Sequence, residues 1–157
     1  MTDNRAPSRF PWPPLVLVAA LSSGFVLGAW LPLPWIPSPL ADVLLAIGWL
    51  MVMLVVLLDV QAIRALWRAK TTVQPHKESD QLVTGGPFAL TRNPIYVGYV
   101  ALIIAAALIA GNAWFLPLAV LAAIALRKFA IDGEERHLAA KFGRRYRDYT
   151  KRVRRWF

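Results

Sequence analysis

Long apolar runs limit how this chain can fold more than any other feature of its sequence. Four such runs occur, at about 14–31, 40–67, 94–110 and 113–130. A helix needs roughly 20 apolar residues to cross a bilayer, and each run is near or above that length. The chain is 57% hydrophobic yet carries a net charge of +9, which is typical of membrane proteins whose basic residues lie outside the lipid. These features predict an all-α integral membrane protein with four transmembrane helices in a single membrane domain, residues 1–157.

The segments around the first two runs carry further signals. Arg5 and Arg9 precede the first run, as in a signal peptide, but the run is long enough to span and we expect it to be retained as a helix. The proline-rich segment 32–39 predicts a short loop at the lipid interface. Asp59, near the end of the second run, is an acid at membrane depth and suggests a function. Pairing with Arg64 or hydration at the interface is the alternative.

The distribution of Lys and Arg predicts the topology. These residues precede the first run, lie around the 68–93 connection and follow the fourth run, while the loops at 32–39 and 111–112 contain none. The positive-inside rule therefore places both termini and the connection in the cytoplasm. We expect an integral protein of a bacterial inner membrane with this orientation.

The charged segment 132–157 predicts a cytoplasmic amphipathic helix. Its apolar residues recur every three or four positions, which is the spacing of one helix face. They are Leu138, Phe142, Tyr146, Tyr149 and Val153. We expect its basic residues to lie on anionic lipid headgroups, with the aromatic side chains in the interface. Nucleic-acid binding is disfavoured because these charges already have a membrane to bind.

The polar stretch before the third run is the best candidate for a site. A Gly-Gly-Pro sequence at 85–87 marks a turn. Pro94 suits the first position of a helix, with Asn93 as its N-cap. Because the third and fourth runs form a hairpin, their cytoplasmic ends are neighbours. This corner is therefore expected beside the acids at 132–135, where a polar cofactor could lie next to an apolar substrate.

The residues that usually hold metals are scarce. The chain contains no cysteine, and its two histidines, His76 and His137, lie far apart. They lack the spacing of metal ligands, so no metal site is expected. The glycine fingerprint of a soluble Rossmann domain is also missing from the sequence.

Four segments, in this order, resemble the isoprenylcysteine carboxyl methyltransferase family. They are Thr72–His76, Leu82–Phe88, Arg92–Gly98, and the pair Glu134-Glu135 followed by Leu138, Phe142-Gly143, Tyr146 and Tyr149. The related phospholipid N-methyltransferases share the pattern more loosely. The resemblance covers about 70–155. It implies a methyltransferase that binds S-adenosylmethionine at the cytoplasmic side of the membrane.

The resemblance also implies which residues contact the cofactor. Carried over by motif, they are Gln74, His76, Gln81, Leu82, Val83, Phe88, Asn93, Pro94, Ile95, Tyr96 and Glu134. Two positions depart from the eukaryotic enzymes of that family. Asn93 stands in place of a histidine, and Ala130 stands where an arginine would hold the substrate. Arg127 or Lys128, one turn earlier, could substitute for that arginine.

The chemistry of these side chains fits methyl transfer. The cofactor carries its own leaving group, so the protein mainly positions the reactants and excludes water. Glu134 can receive the cofactor's ammonium group, and Arg92 a carboxylate of cofactor or substrate. Tyr96 or Phe88 can pack on the adenine. Arg92 and Glu135 are the candidate catalytic residues.

The acceptor is expected to be a lipophilic small molecule or a lipid carrying a carboxylate or an amine. A carboxylate attacks unaided, whereas an amine must lose a proton, for which Glu135 or His137 are candidate acceptors. Two other interpretations remain open at this point. One is a membrane reductase of the sterol-reductase type with a nicotinamide cofactor, and the other is a non-catalytic membrane scaffold or small transporter.

Overall fold

The computed structural model describes residues 11–69 and 81–156, which form α-helices and no strand. The prediction of an all-α protein is thereby confirmed for this part of the chain. The helices are α1 (Trp12–Trp30), α2 (Leu40–Arg68), α3 (Pro94–Ala110), α4 (Phe115–Leu126), α5 (Asp132–Phe142) and α6 (Arg144–Arg152). A 3₁₀ turn (Gly86–Ala89) precedes α3, and a π-helical turn (Arg127–Ile131) joins α4 to α5.

Two helices are long and apolar enough to cross a membrane by length and composition, namely α1 with 19 residues and α2 with 29. The apolar α3 is shorter, with 17 residues. Large apolar side chains are exposed along α1, α2 and α4, among them Phe25, Trp49 and Leu121. Soluble monomers rarely expose contiguous apolar surface of this kind. The outer surface of these helices therefore suits lipid.

Helix α3 lies at the centre and packs against α1, α2 and α4. Two glycines allow α2 and α3 to approach closely. A Cβ atom on Gly48 would lie 3.1 Å from the carbonyl oxygen of Ala105, and one on Gly98 would lie 2.9 Å from Oδ1 of Asp59. That oxygen of Asp59 is buried without a hydrogen-bond partner among the described residues. The alternative that Asp59 pairs with Arg64 finds no ion pair to support it in the same part of the chain.

The turn between α3 and α4 anchors α1. Gly111 adopts the left-handed conformation (φ 61°, ψ 37°) that ends α3, as the predicted tight turn requires. Asn112 donates from Nδ2 to the carbonyl oxygen of Gly24 at 2.8 Å and accepts from the backbone N–H of Trp114 at 3.1 Å. Phe115 is fully buried directly against Gly24. The start of α4 is thus fixed to the middle of α1.

The helix that begins at Phe115 does not end where the fourth apolar run ends. It continues through the π-helical turn into α5 and stops at Phe142. Single π turns inside α-helices occur frequently at functional sites. The acids of α5 are therefore attached rigidly to α4 rather than carried on a separate segment.

The prediction of one amphipathic helix over 132–157 is wrong. The chain breaks at Gly143 (φ 53°, ψ −117°), a conformation that is open to glycine and strained for other residues. α6 ends at Arg152, and residues 153–156 are not helical. After this bend Tyr146 and Tyr149 turn inward and are each only 4% exposed. They pack inside the protein instead of lying in the lipid interface.

Candidate active site

The corner before α3 is held by the end of the chain. The backbone N–H of Arg92 donates to the carbonyl oxygen of Arg154 at 3.0 Å. The carbonyl oxygen of Arg155 accepts from Thr91 Oγ1 at 2.9 Å and from Asn93 Nδ2 at 3.3 Å. Asn93 occupies the predicted N-cap position, but its side chain makes no capping bond. Its amide is instead used to hold the C-terminal segment.

An ion-pair network joins this corner to α5. Arg155 binds both carboxylate oxygens of Glu135, with Nε–Oε1 at 3.1 Å and Nη2–Oε2 at 2.6 Å. It also contacts Asp132, with Nη1–Oδ1 at 3.1 Å. Arg92 Nη2 lies 3.2 Å from Glu135 Oε1. The hydrogen bond to Glu135 raises the pKa of Arg155. Glu135 is thus clamped between two arginines.

The preceding acid has a different environment. Glu134 forms a hydrogen bond with the hydroxyl of Tyr96, a residue that is only 7% exposed. Burial raises the pKa of Glu134 to about 7, the hydrogen bond from Tyr96 opposes this shift, and the charge of Glu135 adds to it. Burial without a cation favours the neutral form of Glu134. Glu134 has no guanidinium partner among the described residues.

An open cleft of about 590 Å³ lies beside the ion-pair network. Its lining is mainly basic and includes Arg92, Asp132, Glu135, Tyr146 and Arg155. Nε of Arg92 is buried and has no hydrogen-bond partner in the part of the chain that the structure describes. Buried donors are normally paired. Arg92 therefore carries one guanidinium donor that no described residue satisfies.

The two inward-facing tyrosines are structural supports of this region. The hydroxyl of Tyr149 donates to the carbonyl oxygen of Phe88 at 2.5 Å. Burial raises the pKa of Tyr149, and likewise that of Tyr146, to about 12. Both hydroxyls therefore remain protonated at neutral pH. Tyr149 fixes the 3₁₀ turn that carries Phe88 against α6.

The structure brings together most of the site residues predicted on α3 and α5. Those near the shared corner are Arg92, Asn93, Pro94, Ile95, Tyr96, Glu134 and Glu135. Phe88 joins them through Tyr149. Gln81 is exposed, and Leu82 and Val83 are half-buried in the segment before the 3₁₀ turn. Gln74 and His76 lie outside the described residues. His137 is on α5 but does not line the cleft.

Sequence reasoning missed the part played by the C-terminal residues. Thr91, Arg155 and Trp156 form the contacts that close the corner. Arg155 is one of many basic residues in a tail that we expected to lie on lipid headgroups. Residue type alone does not distinguish Arg155 from the other basic residues of this tail. Its role could be predicted only from the bend of the chain at Gly143.

Comparison with known proteins can now be set beside this geometry. A family model described as phospholipid methyltransferase matches residues 43–145, about two thirds of the 157 residues. The chain belongs to the phospholipid methyltransferase family. A search among curated proteins gives no match. The matched region contains the Arg92 corner and all three acids of α5, Asp132, Glu134 and Glu135.

Membership of the phospholipid methyltransferase family confirms the resemblance to this group of enzymes. It identifies the chain as a membrane methyltransferase and indicates a lipid substrate. It favours methyl transfer over the reductase and scaffold interpretations. Specificity of the isoprenylcysteine carboxyl type stays a prediction.

Proposed function

We propose that the protein is an S-adenosylmethionine-dependent methyltransferase that methylates a membrane lipid at the cytoplasmic face of the bilayer. The observation that carries this proposal is the Glu134–Tyr96 pair beside the Arg92 corner, inside the region that matches the family. A buried carboxyl group without a cationic partner is a suitable acceptor for the ammonium group of a ligand.

The donor set of the corner fits the two charged ends of the cofactor. Glu134 would hold the ammonium group, and Arg92, with its unused Nε donor, would hold the carboxylate. Tyr96 and Phe88 offer aromatic surface for the adenine ring. Cofactor binding would supply an electrophilic methyl group on sulfur. S-adenosylhomocysteine would be the leaving group when the methyl carbon–sulfur bond is exchanged for a bond to the acceptor atom.

The protein's own residues position and shield the reactants. Glu135 fixes the guanidinium groups of Arg92 and Arg155, and both of its carboxylate oxygens are engaged in these contacts. We therefore assign Glu135 a positioning role. If the acceptor is an amine, its proton leaves through the open cleft to solvent before attack. Trp156, packed with Tyr96 and Leu126, helps to exclude water from the apolar side.

The proposed topology has four spans with both termini in the cytoplasm. α3 supplies 17 apolar residues, and the helix begun by α4 continues through the π turn to Ile131, which brings it close to a spanning length. The hairpin of α3 and α4 then places the Arg92 corner and α5 on the same side. The cluster of Lys and Arg favours the cytoplasmic side.

The first test is calorimetric binding of S-adenosylmethionine and S-adenosylhomocysteine to the full chain in detergent. We expect micromolar affinity for the former, about −8 kcal/mol, and loss of that binding in Glu134→Gln. The matched control is Asp148→Asn, which removes an acid whose side chain is 51% exposed and pairs only with surface cations. Failure of the folded protein to bind either compound, with lipid present, would overturn the proposal.

A further inference from the structure

An apolar groove lies on the outer face of the α3–α4 hairpin. It has a volume of about 520 Å³, and seven apolar side chains of the two helices line it, among them Val100, Leu116 and Ala123. Two residues of different character, Arg127 and Trp156, complete the lining. This groove is separate from the polar cleft, because the two have no lining residue in common.

The length of the groove matches one leaflet of a bilayer. Its lining on the α4 side extends from Leu116 to Arg127, which is about 16 Å along a helix at 1.5 Å per residue. The hydrocarbon core of a bilayer is about 30 Å thick, so one leaflet is about half of that. With Arg127 at headgroup depth on the cytoplasmic side, the apolar lining continues along α4 as far as Leu116, the second residue of that helix.

The polar end of the groove carries an unused cation next to the proposed methyl-transfer site. Arg127 is exposed and has no ion pair among the described residues. Trp156 lines the groove and also packs against Tyr96, Leu126 and Ile131. Tyr96 in turn bonds to Glu134. Trp156 therefore belongs both to the groove and to the packing around Tyr96, one of the residues expected to hold the cofactor.

We propose that this groove binds one acyl chain of the acceptor lipid, a phospholipid whose phosphate is bound by Arg127. The inference rests on the proposed function for the identity of the acceptor. A guanidinium group binds phosphate through paired, charge-assisted hydrogen bonds. A headgroup held at that point extends past Trp156 toward Tyr96 and Glu134. The groove thus selects a phosphate-bearing lipid and presents its headgroup to the methyl donor.

The test uses phosphatidylethanolamine with a photoactivatable diazirine in one acyl chain, added to the full chain in detergent, with labelled peptides identified by mass spectrometry. We expect saturable labelling on the groove residues of α4. Ala123→Trp, which fills the groove, should reduce labelling at least about tenfold. Leu121→Trp is the control, because Leu121 is exposed on α4 but does not line the groove. Arg127→Gln should weaken the apparent affinity about tenfold, the effect of losing about 1.4 kcal/mol.

Labelling that is spread evenly over the lipid-facing helices would overturn the proposal that the groove binds an acyl chain. Labelling that is unchanged in Ala123→Trp would overturn it as well. A photoactivatable fatty acid that labels the groove as well as the phospholipid does, regardless of Arg127, would overturn the role of phosphate. Thermal unfolding of each variant shows that it is folded. Calorimetry with S-adenosylmethionine separates the two proposals, since groove variants should bind it normally. Groove labelling without cofactor binding would refute the proposed function alone.

Discussion

Two adjacent acids on α5 should respond in opposite ways to the same isosteric change. Glu135 accepts contacts from two guanidinium groups at 2.6 to 3.2 Å, and its side chain is 15% exposed. In Glu135→Gln Arg92 loses its carboxylate partner among the described residues, and Arg155 keeps Asp132 but loses its two-point contact with Glu135. Removing one partner of a buried ion pair costs about 3–5 kcal/mol, and partial exposure lowers this to about 2–3 kcal/mol. At about 2–4 °C per kcal/mol for a chain of this size, the unfolding midpoint should fall by about 5–10 °C.

Glu134→Gln should leave stability nearly unchanged. Because the pKa of Glu134 is raised to about 7, this carboxyl is already partly neutral at pH 7. The glutamine amide oxygen can still accept from Tyr96. The change should therefore cost below about 1 kcal/mol, while cofactor binding is lost.

Thermal unfolding of both variants in detergent at pH 7, followed through tryptophan fluorescence, measures the difference. Calorimetry below the unfolding range should show the reverse order for S-adenosylmethionine, with Glu135→Gln weakening binding less than Glu134→Gln does. A lower unfolding midpoint for Glu134→Gln than for Glu135→Gln would refute the division of roles between the two acids.

Three further outcomes are expected from the same unfolding assay. Because the pKa of Glu134 is raised from 4.5 to about 7 in the folded protein, the folded state binds the extra proton. The stabilisation that comes from binding this proton should be complete below about pH 4.5 and be lost as the pH rises through about 7. Glu134→Gln should abolish this dependence of the free energy of unfolding on pH. Gly24→Ala should destabilise by about 1–3 kcal/mol, because the new methyl group overlaps the ring of Phe115. Gly133→Ala, where no atom lies within 4 Å, should be neutral or stabilising; equal losses in the two variants would contradict the packing. Asn112→Ala removes two hydrogen bonds and should cost about 1–2 kcal/mol, and an unchanged midpoint would show that this turn does not anchor α1.

Local signals in the sequence predicted the helices and the corner before α3. Apolar runs set the positions of α1 to α4, and Pro94 begins α3 where a proline is best tolerated. The meeting of the Arg92 corner with α5 followed from the hairpin of the third and fourth runs. These features depend on residues near one another in the chain, or on one short connection.

The contacts made by the end of the chain depend on a bend that the apolar pattern conceals. Spacing by three and four residues continues across Gly143, so the pattern predicted one helix and an outward aromatic stripe. The positive φ of Gly143 redirects α6, and the stripe becomes an inner face. The same distant segment decides the role of Asn93. Its side chain binds the carbonyl oxygen of Arg155, 62 residues later in the chain, instead of capping its own helix.

The charges around Glu134 and Arg92 suit the two charged ends of S-adenosylmethionine. The cleft beside Arg92 and Arg155 has more basic than acidic lining residues, so its electrostatics favour an anionic group. Glu134 lies outside the lining of this cleft and is paired with Tyr96 rather than with an arginine. The ammonium group of the cofactor would therefore be drawn to Glu134, and its carboxylate to Arg92. Glu135 contacts both guanidinium groups. Its negative charge therefore offsets the effect of their positive charge on Glu134. One helix turn with two adjacent acids thus maintains a negative and a positive subsite side by side.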